Sequence, residues 1–166
     1  MTYQMRAYRF IRAMFDFVEN WTDVHALEYA LEEMYWRVGE EAILEMGSSR
    51  MVIVGEDFAI KWDYDEENVR KTGGCEDEFR KYRISLSSGY AYLLAPIFRV
   101  YYRQHYFFIM PRVDEVGSGE KNIFDFISGD ESMWLAEHVG DLHSWNWGML
   151  NGRPVIIDYA CCPDWG

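Results

Sequence analysis

Three short runs of strand-forming residues follow one another in the first half of the chain, and each is separated from the next by a turn that contains glycine. The runs are Ile43–Met46, residues 51–54 and residues 58–62, with Gly47 and Gly55 in the turns between them. β-rich runs interrupted by turn residues are typical of strands that are joined by tight connections. We therefore predict a three-stranded antiparallel meander here.

Helical periodicity precedes this meander. Apolar residues recur at three- and four-residue spacing over residues 1–40, which predicts two helices. Thr22 and Asp23 lie between the two stretches, and either side chain is a suitable N-cap for the second helix. The aromatic residues of this segment indicate core packing rather than a cofactor site.

The chain beyond the meander alternates between loops, helices and strands. We expect a loop over residues 63–74, and then a short charged helix from Glu76 to about Ser85 with Phe79 and Tyr82 on one side. The remaining expected elements are a β-hairpin over residues 97–102 and 105–110, short helices over 123–127 and 131–139, and small strands over 149–150 and 155–157. The predicted fold class is α+β.

Composition excludes several classes of protein. The 166 residues are 49% hydrophobic and 17% aromatic, so the chain can bury a core and is not intrinsically disordered. The 16 basic and 28 acidic residues give a net charge of −12, which disfavours direct nucleic-acid binding and docking to anionic membranes. No apolar run is long enough to span a membrane.

The chain has no signal-peptide pattern, because arginines interrupt its N-terminal stretch. Its three cysteines, Cys75, Cys161 and Cys162, cannot all pair with one another, and we expect reduced thiols. The ligand spacing of a zinc site is missing. These features together predict a cytoplasmic protein.

The stretch from residue 140 to residue 160 carries the clearest chemical pattern. Asp141 is followed five residues later by Asn146, a turn at Asn151-Gly152 joins two short strands, and Asp158 closes the second strand. This arrangement resembles the catalytic loop D-x-x-x-x-N and the D-F-G metal motif of the protein kinase-like superfamily. The D-L-H-x-x-N form is similar to that of small-molecule kinases, atypical protein kinases and phage-borne kinase-like proteins.

The upstream elements follow the order of a kinase small lobe. Residues 58–62 place Lys61 in a context like the family's V-A-I-K strand, and the following helix offers Glu78, with Glu76 as the alternative, to pair with that lysine. The resemblance covers roughly residues 42–160. It also implies nucleotide-binding positions in the first turn and at the hinge, namely Gly47, Ser48, Ser49, Met110 and Val113.

The resemblance implies ATP and Mg²⁺ as cofactors. Lys61 would hold the α- and β-phosphates, while Asn146 and Asp158 would hold the metal, for which carboxylate and amide oxygens are suitable ligands. Asp141 would orient, and deprotonate, an acceptor hydroxyl. Glu78 would position Lys61.

Some positions depart from the family pattern. Val139 stands where the catalytic loop usually has histidine, Tyr159-Ala160 replaces Phe-Gly, and only eight residues follow Asp158. The resemblance therefore implies a five-stranded small lobe over residues 42–112, a heavily reduced large lobe over 113–166 and an N-terminal helical extension over 1–41.

Two functions are compatible with these patterns. The first is a minimal ATP-dependent phosphotransferase that acts on a hydroxyl of a protein or small molecule, in the host cytoplasm if a phage encodes it. The alternative is a pseudokinase-like acidic module that binds and inhibits a basic host protein, including a DNA-binding one. The full set of motif residues favours the enzyme, whereas the sparse glycine loop and short C-terminal part favour the binding module.

Overall fold

The computed structural model describes residues 1–116, 121–139 and 146–159, and the fold is α+β with a five-stranded antiparallel sheet. The chain forms two compact units. The first unit contains residues 1–69 and 98–112, and the second contains 70–97 and the described part of 113–166. The first unit ends at Arg112, and residues 70–97 group with the C-terminal part. No helix in the described ranges has the length and apolar character of a membrane span.

Two capped helices open the first unit and confirm the predicted periodicity. They are α1, Tyr3–Met14, and α2, Val24–Val38. Asp23, not Thr22, is the N-cap of α2, because its Oδ1 accepts a hydrogen bond of 3.1 Å from the Ala26 N–H. The helix ends at Gly39, whose φ of 70° is a left-handed conformation that glycine adopts without steric cost.

The sheet of the first unit is antiparallel throughout, in the order β1-β2-β3-β5-β4. Its first three strands are the predicted meander, and the last two form the predicted hairpin, which turns at Arg103 and Gln104 with φ values of 47° and 68°. The strands are β1 Ile43–Met46, β2 Arg50–Val54, β3 Phe58–Asp63, β4 Phe98–Tyr102 and β5 His105–Pro111.

One face of this sheet packs against α1 and α2. Strand alternation places Ile53, Ile60 and Ile109 on that face, and all three are fully buried in a single apolar cluster with both helices. Burial of each such side chain contributes about 1.5–3 kcal/mol relative to exposure. The two helices therefore cover one face of the sheet. Lys61 and Phe108, which alternate with these isoleucines along β3 and β5, lie on the other face.

The segment that we predicted as a loop over residues 63–74 contains a helix, so that prediction is wrong. This helix, α3, spans Glu66–Thr72. Asp65 Oδ1 accepts a hydrogen bond from the Asn68 N–H at 3.1 Å, and acidic residues lie in the first turn with basic residues in the last. That charge order complements the helix dipole and favours a helix in a stretch with little apolar periodicity.

The second unit combines short helices with a small sheet. Its strands pair antiparallel in the order β6-β7-β8. Cys75 is a buried free thiol, while Cys161 and Cys162 lie outside the described residues. The elements are α4 Cys75–Ser85, 3₁₀ turns at Ala91–Leu93 and Ile123–Asp125, β6 Asp114–Glu115, α5 Gly129–His138, β7 Trp147–Leu150 and β8 Arg153–Ile156.

Close packing of β6 on β7 depends on the absence of a side chain at Gly148. A Cβ there would lie 2.7 Å from the Asp114 carbonyl oxygen and 2.8 Å from Val113 Cγ2. We expect Gly148→Ala to lower the free energy of unfolding by about 1–3 kcal/mol, as overpacking usually does. Denaturant titration measures the change. The control is Gly129→Ala, where a Cβ meets nothing within 4 Å; equal losses in both variants would contradict this account.

A capping box opens α5 and makes its stability depend on pH. The pKa of Glu131 is lowered from 4.5, chiefly by the hydrogen bond that its carboxylate accepts from the Ser128 backbone N–H. A lowered pKa contributes stability at neutral pH that is lost as the pH falls below about 4.5. We expect wild type to unfold at a higher temperature than Glu131→Gln at pH 7, with the difference shrinking toward pH 3. A difference that stays constant with pH would refute this assignment.

Candidate functional site

Lys61 lies on the central strand of the first unit, as the strand motif predicts. Its β3 neighbours Ile60 and Trp62 belong to the core beneath α1 and α2, so Lys61 lies on the opposite face of the sheet. There it is paired with Val52 on β2 and Phe108 on β5, and it is only 9% exposed. The residue is thus buried on the central strand of the sheet.

Hydrogen bonds to its backbone carbonyl groups hold the turn between β1 and β2 in place. The Gly47 N–H donates to the Arg50 carbonyl at 2.8 Å, and Ser49 is 2% exposed. Donors from residues 64–68 bind the carbonyls of Gly47, Ser48 and Ser49: Tyr64 Oη at 2.9 Å, Asn68 Nδ2 at 3.0 Å and the Tyr64 N–H at 3.0 Å. Of the three predicted phosphate-binding residues, Gly47 and Ser48 are therefore exposed, and Ser49 is buried.

The predicted hinge residues fall at the end of the five-stranded sheet. Met110 lies on β5 opposite Ala59 and is buried. Val113 is half-buried and directly precedes β6. Between them, the Arg112 guanidinium donates to the Gly55 carbonyl at 3.0 Å, which fixes the strand end to the β2–β3 turn. The nucleotide contacts predicted for Met110 and Val113 stay predictions.

Asn146 and Asp158 both lie at the open end of the β7–β8 hairpin. Trp147 pairs with Ile156, and the Ile157 N–H donates to the Asn146 carbonyl at 2.7 Å. Asp158 is therefore one residue beyond the position opposite Asn146. The twelve-residue spacing in the sequence thus corresponds to spatial proximity, with one amide and one carboxylate at the same end of a small sheet.

Helix α4 is fixed to the residue that follows Asp158. Glu78 and Lys81 lie one turn apart on α4 and are 1% and 2% exposed. Glu78 Oε1 accepts a hydrogen bond of 3.3 Å from the Tyr159 N–H, and Lys81 Nζ donates one of 3.2 Å to the Tyr159 carbonyl. The backbone N–H and carbonyl of Tyr159 are therefore bound by a carboxylate and by an ammonium group from the same face of α4. Glu76, the alternative candidate, is exposed.

These contacts lie on the buried face of α4. Phe79 and Tyr82 are only half-buried, whereas the buried face is polar and consists of Cys75, Glu78, Lys81 and Ser85. Sequence reasoning missed Lys81, although its i+3 spacing from Glu78 places the two on one helix face. Buried charges need specific partners, and the Tyr159 backbone supplies them for both residues.

Tyr159 is held in place through its side-chain hydroxyl group. The side chain is 1% exposed, and Oη donates to the Ala95 carbonyl at 2.9 Å. The Ala95 N–H in turn donates to the Ile156 carbonyl at 2.8 Å. Burial raises the pKa of Tyr159 well above its usual range, and the Glu78 carboxylate adds to this shift. A neutral, hydrogen-bonded phenol thus holds the segment after β8 in place.

The predicted site residues are divided between the two units. Glu78, Asn146 and Asp158 belong to the second unit, while Lys61 and the turn at residues 47–49 belong to the first. Asp141 lies outside the described residues. The pairing of Lys61 with Glu78 stays a prediction. Within the described ranges, no three His, Cys, Asp or Glu side chains form a metal-binding group.

Comparison with known proteins gives no match: no protein-family model fits this chain, and no curated protein is similar to it. Its activity must therefore be inferred from its own residues and their geometry.

Proposed function

We propose that this chain is a minimal kinase-like phosphotransferase that moves the γ-phosphoryl group of ATP to a hydroxyl of a protein or small molecule. One observation carries the proposal: the buried carboxylate of Glu78 bonds to the backbone directly after Asp158, although the two partners are 81 residues apart in sequence. A chance match of short motifs gives no reason for this contact. A kinase-like site does, because its helix glutamate and its metal motif must be held in register.

Asn146 and Asp158 fit a magnesium site. Mg²⁺ in phosphoryl-transfer enzymes takes one or two protein oxygens and completes its shell with water and phosphate, so an amide and a carboxylate at one hairpin end suffice. Bound there, the ion would neutralise charge on the phosphate oxygens. Helix α4 contributes by fixing the backbone at Tyr159, which limits the movement of the neighbouring Asp158.

Lys61 and Asp141 supply the remaining roles. The buried ammonium of Lys61 holds the α- and β-phosphates, and its strand position reduces the entropy lost on binding. Asp141 orients the acceptor hydroxyl and takes its proton. The acceptor oxygen then forms a bond to the γ-phosphorus as the bond from that phosphorus to the β–γ bridging oxygen breaks, leaving ADP.

Transfer of labelled phosphate from ATP to the chain itself or to lysate proteins tests this function. We expect transfer by wild type in the presence of Mg²⁺, and its loss in Lys61→Met and in Asp141→Asn. The exposed Asp125 of the same unit as Asp141 gives a matched control, Asp125→Asn, which should retain transfer. Transfer that survives both Lys61→Met and Asp141→Asn would show that these residues do not carry the reaction.

A second function, an acidic binding module, is favoured by one specific observation. Residues 16–45, which include α2 and most of β1, contain nine acidic residues and one arginine. This concentration of negative charge suits a basic protein partner, since electrostatic complementarity raises association rates and selects partners. If binding is the whole function, Lys61→Ala/Asp158→Ala captures the same basic proteins as wild type. If the chain acts as an enzyme, that variant should instead lose its biological effect, because phosphoryl transfer needs Lys61 and Asp158.

A further inference from the structure

A groove in the first unit runs between α1 and α2, away from every residue assigned to phosphoryl transfer. Its volume is about 520 Å³, within the range of small-molecule sites. One wall of the groove is formed by Arg6, Arg9, Phe10 and Ala13 of α1. Their three- and four-residue spacing places them on one face of the helix. Met34 and Val38 of α2 form the opposite wall. The small side chain of Ala13 leaves this part of the groove open.

One end of the groove is net negative, because three carboxylates surround the single guanidinium of Arg6. Arg6 donates to Glu56 at 2.7 Å and to Asp57 at 3.3 Å, and Glu40 lies 3.8 Å from the same guanidinium. The hydrogen bond from Arg6 lowers the pKa of Glu56, which keeps that carboxylate ionised. Arg6 therefore holds the β2–β3 turn beside the groove and has no need of a further anion.

Arg9 differs from Arg6 in having no carboxylate partner among the residues that the structure describes. Its one hydrogen bond there is to Met1 Sδ, at 3.7 Å. Arg9 is exposed and lines the groove next to apolar walls. A guanidinium in this setting can bind a carboxylate through two parallel hydrogen bonds.

We propose that the α1–α2 groove binds an amphipathic carboxylate, with the carboxylate on Arg9 and an alkyl chain along Phe10, Ala13, Met34 and Val38. The stripe from Arg6 to Ala13 covers eight residues, and its two ends lie about 10 Å apart along the helix, which suits a medium-length chain. The apolar contact provides the area for binding, and Arg9 selects an acid over an alcohol. The proposal is independent of phosphoryl transfer, since the groove lies on the helical side of the sheet and Lys61 on the other.

Calorimetric titration of the full chain with octanoate and with 1-octanol, below the concentration at which either self-associates, tests the proposal. We expect octanoate to bind wild type about tenfold more tightly, as a charge-assisted hydrogen bond provides. Arg9→Gln should remove that preference. Arg12→Gln is the matched control, because Arg12 lies over the Tyr8 ring and does not line the groove, and it should keep the preference.

A second variant, Val38→Glu, keeps the proposal testable even if Arg9→Gln fails to fold. Val38 is 58% exposed at the edge of the groove, so Val38→Glu adds a repelling carboxylate without disturbing the core. It should weaken octanoate by about tenfold and octanol much less, and thermal unfolding verifies that each variant is folded. The proposal is overturned if folded wild type binds neither ligand, binds both equally, or keeps its preference for octanoate in Arg9→Gln and Val38→Glu.

Discussion

Asp158→Asn is expected to lower the rate of Mg²⁺-dependent phosphoryl transfer by about 10³-fold or more, because it removes the only negative ligand of the proposed Asn146–Asp158 pair. Charge neutralisation at a transferred phosphoryl group contributes several kcal/mol to the barrier, and each 1.4 kcal/mol is about tenfold in rate. Asparagine has nearly the same shape, so the hairpin end and its bond from Ile157 to Asn146 should persist. Initial rates at increasing Mg²⁺ concentration measure the effect.

The control for this variant is Asp125→Asn, which removes an exposed carboxylate from the same unit. It should leave both the rate and its dependence on Mg²⁺ unchanged. If Asp158→Asn and Asp125→Asn have the same rates as wild type, Asp158 does not hold the metal. A loss of rate that high Mg²⁺ concentration partly restores would agree with a weakened metal site.

Glu78→Ala is expected to lower the free energy of unfolding by about 3–5 kcal/mol. The substitution leaves the buried Tyr159 N–H without its acceptor and removes the carboxylate that lies one helical turn from the Lys81 ammonium, which is 2% exposed. Breaking a buried hydrogen-bond network is among the most destabilising of single changes. Denaturant unfolding followed by circular dichroism gives the difference from wild type.

Two further variants separate this effect from a general loss of helix charge. Glu76→Ala removes an exposed glutamate two residues earlier on α4 and should change stability by less than about 0.5 kcal/mol. Lys81→Met added to Glu78→Ala should recover part of the loss, because the two residues bind the same backbone unit and their effects are not additive. Equal effects of Glu76→Ala and Glu78→Ala would show that the buried contact contributes little.

The strands and the long helices could be predicted because their apolar periodicity is strong. The Asp23 cap, the meander and both hairpins follow from local patterns, namely a capping side chain and turn residues such as Asn151-Gly152. Asn146 and Asp158 could be placed together for the same reason, since a tight hairpin fixes the register of its two strands.

Periodicity gives little information where a buried surface is polar. The buried face of α4 carries Glu78 and Lys81, whereas the apolar pair Phe79 and Tyr82 is only half-buried. The partner of both charges is a backbone unit about 80 residues away, which no local pattern identifies. Helix α3 was missed for a related reason, since its cap and its charge order stabilise it with few apolar residues.

Thermal unfolding of wild type with and without Mg²⁺ and ATP tests the central claim most directly. A ligand that binds only the folded chain stabilises it by about 2.7 kcal/mol at a concentration 100 times its Kd. For a chain of this length, the account predicts that Tm rises by about 5–10 °C when both Mg²⁺ and ATP are present, and by less in Asp158→Asn. A wild-type Tm that is the same with and without Mg²⁺ and ATP would contradict it.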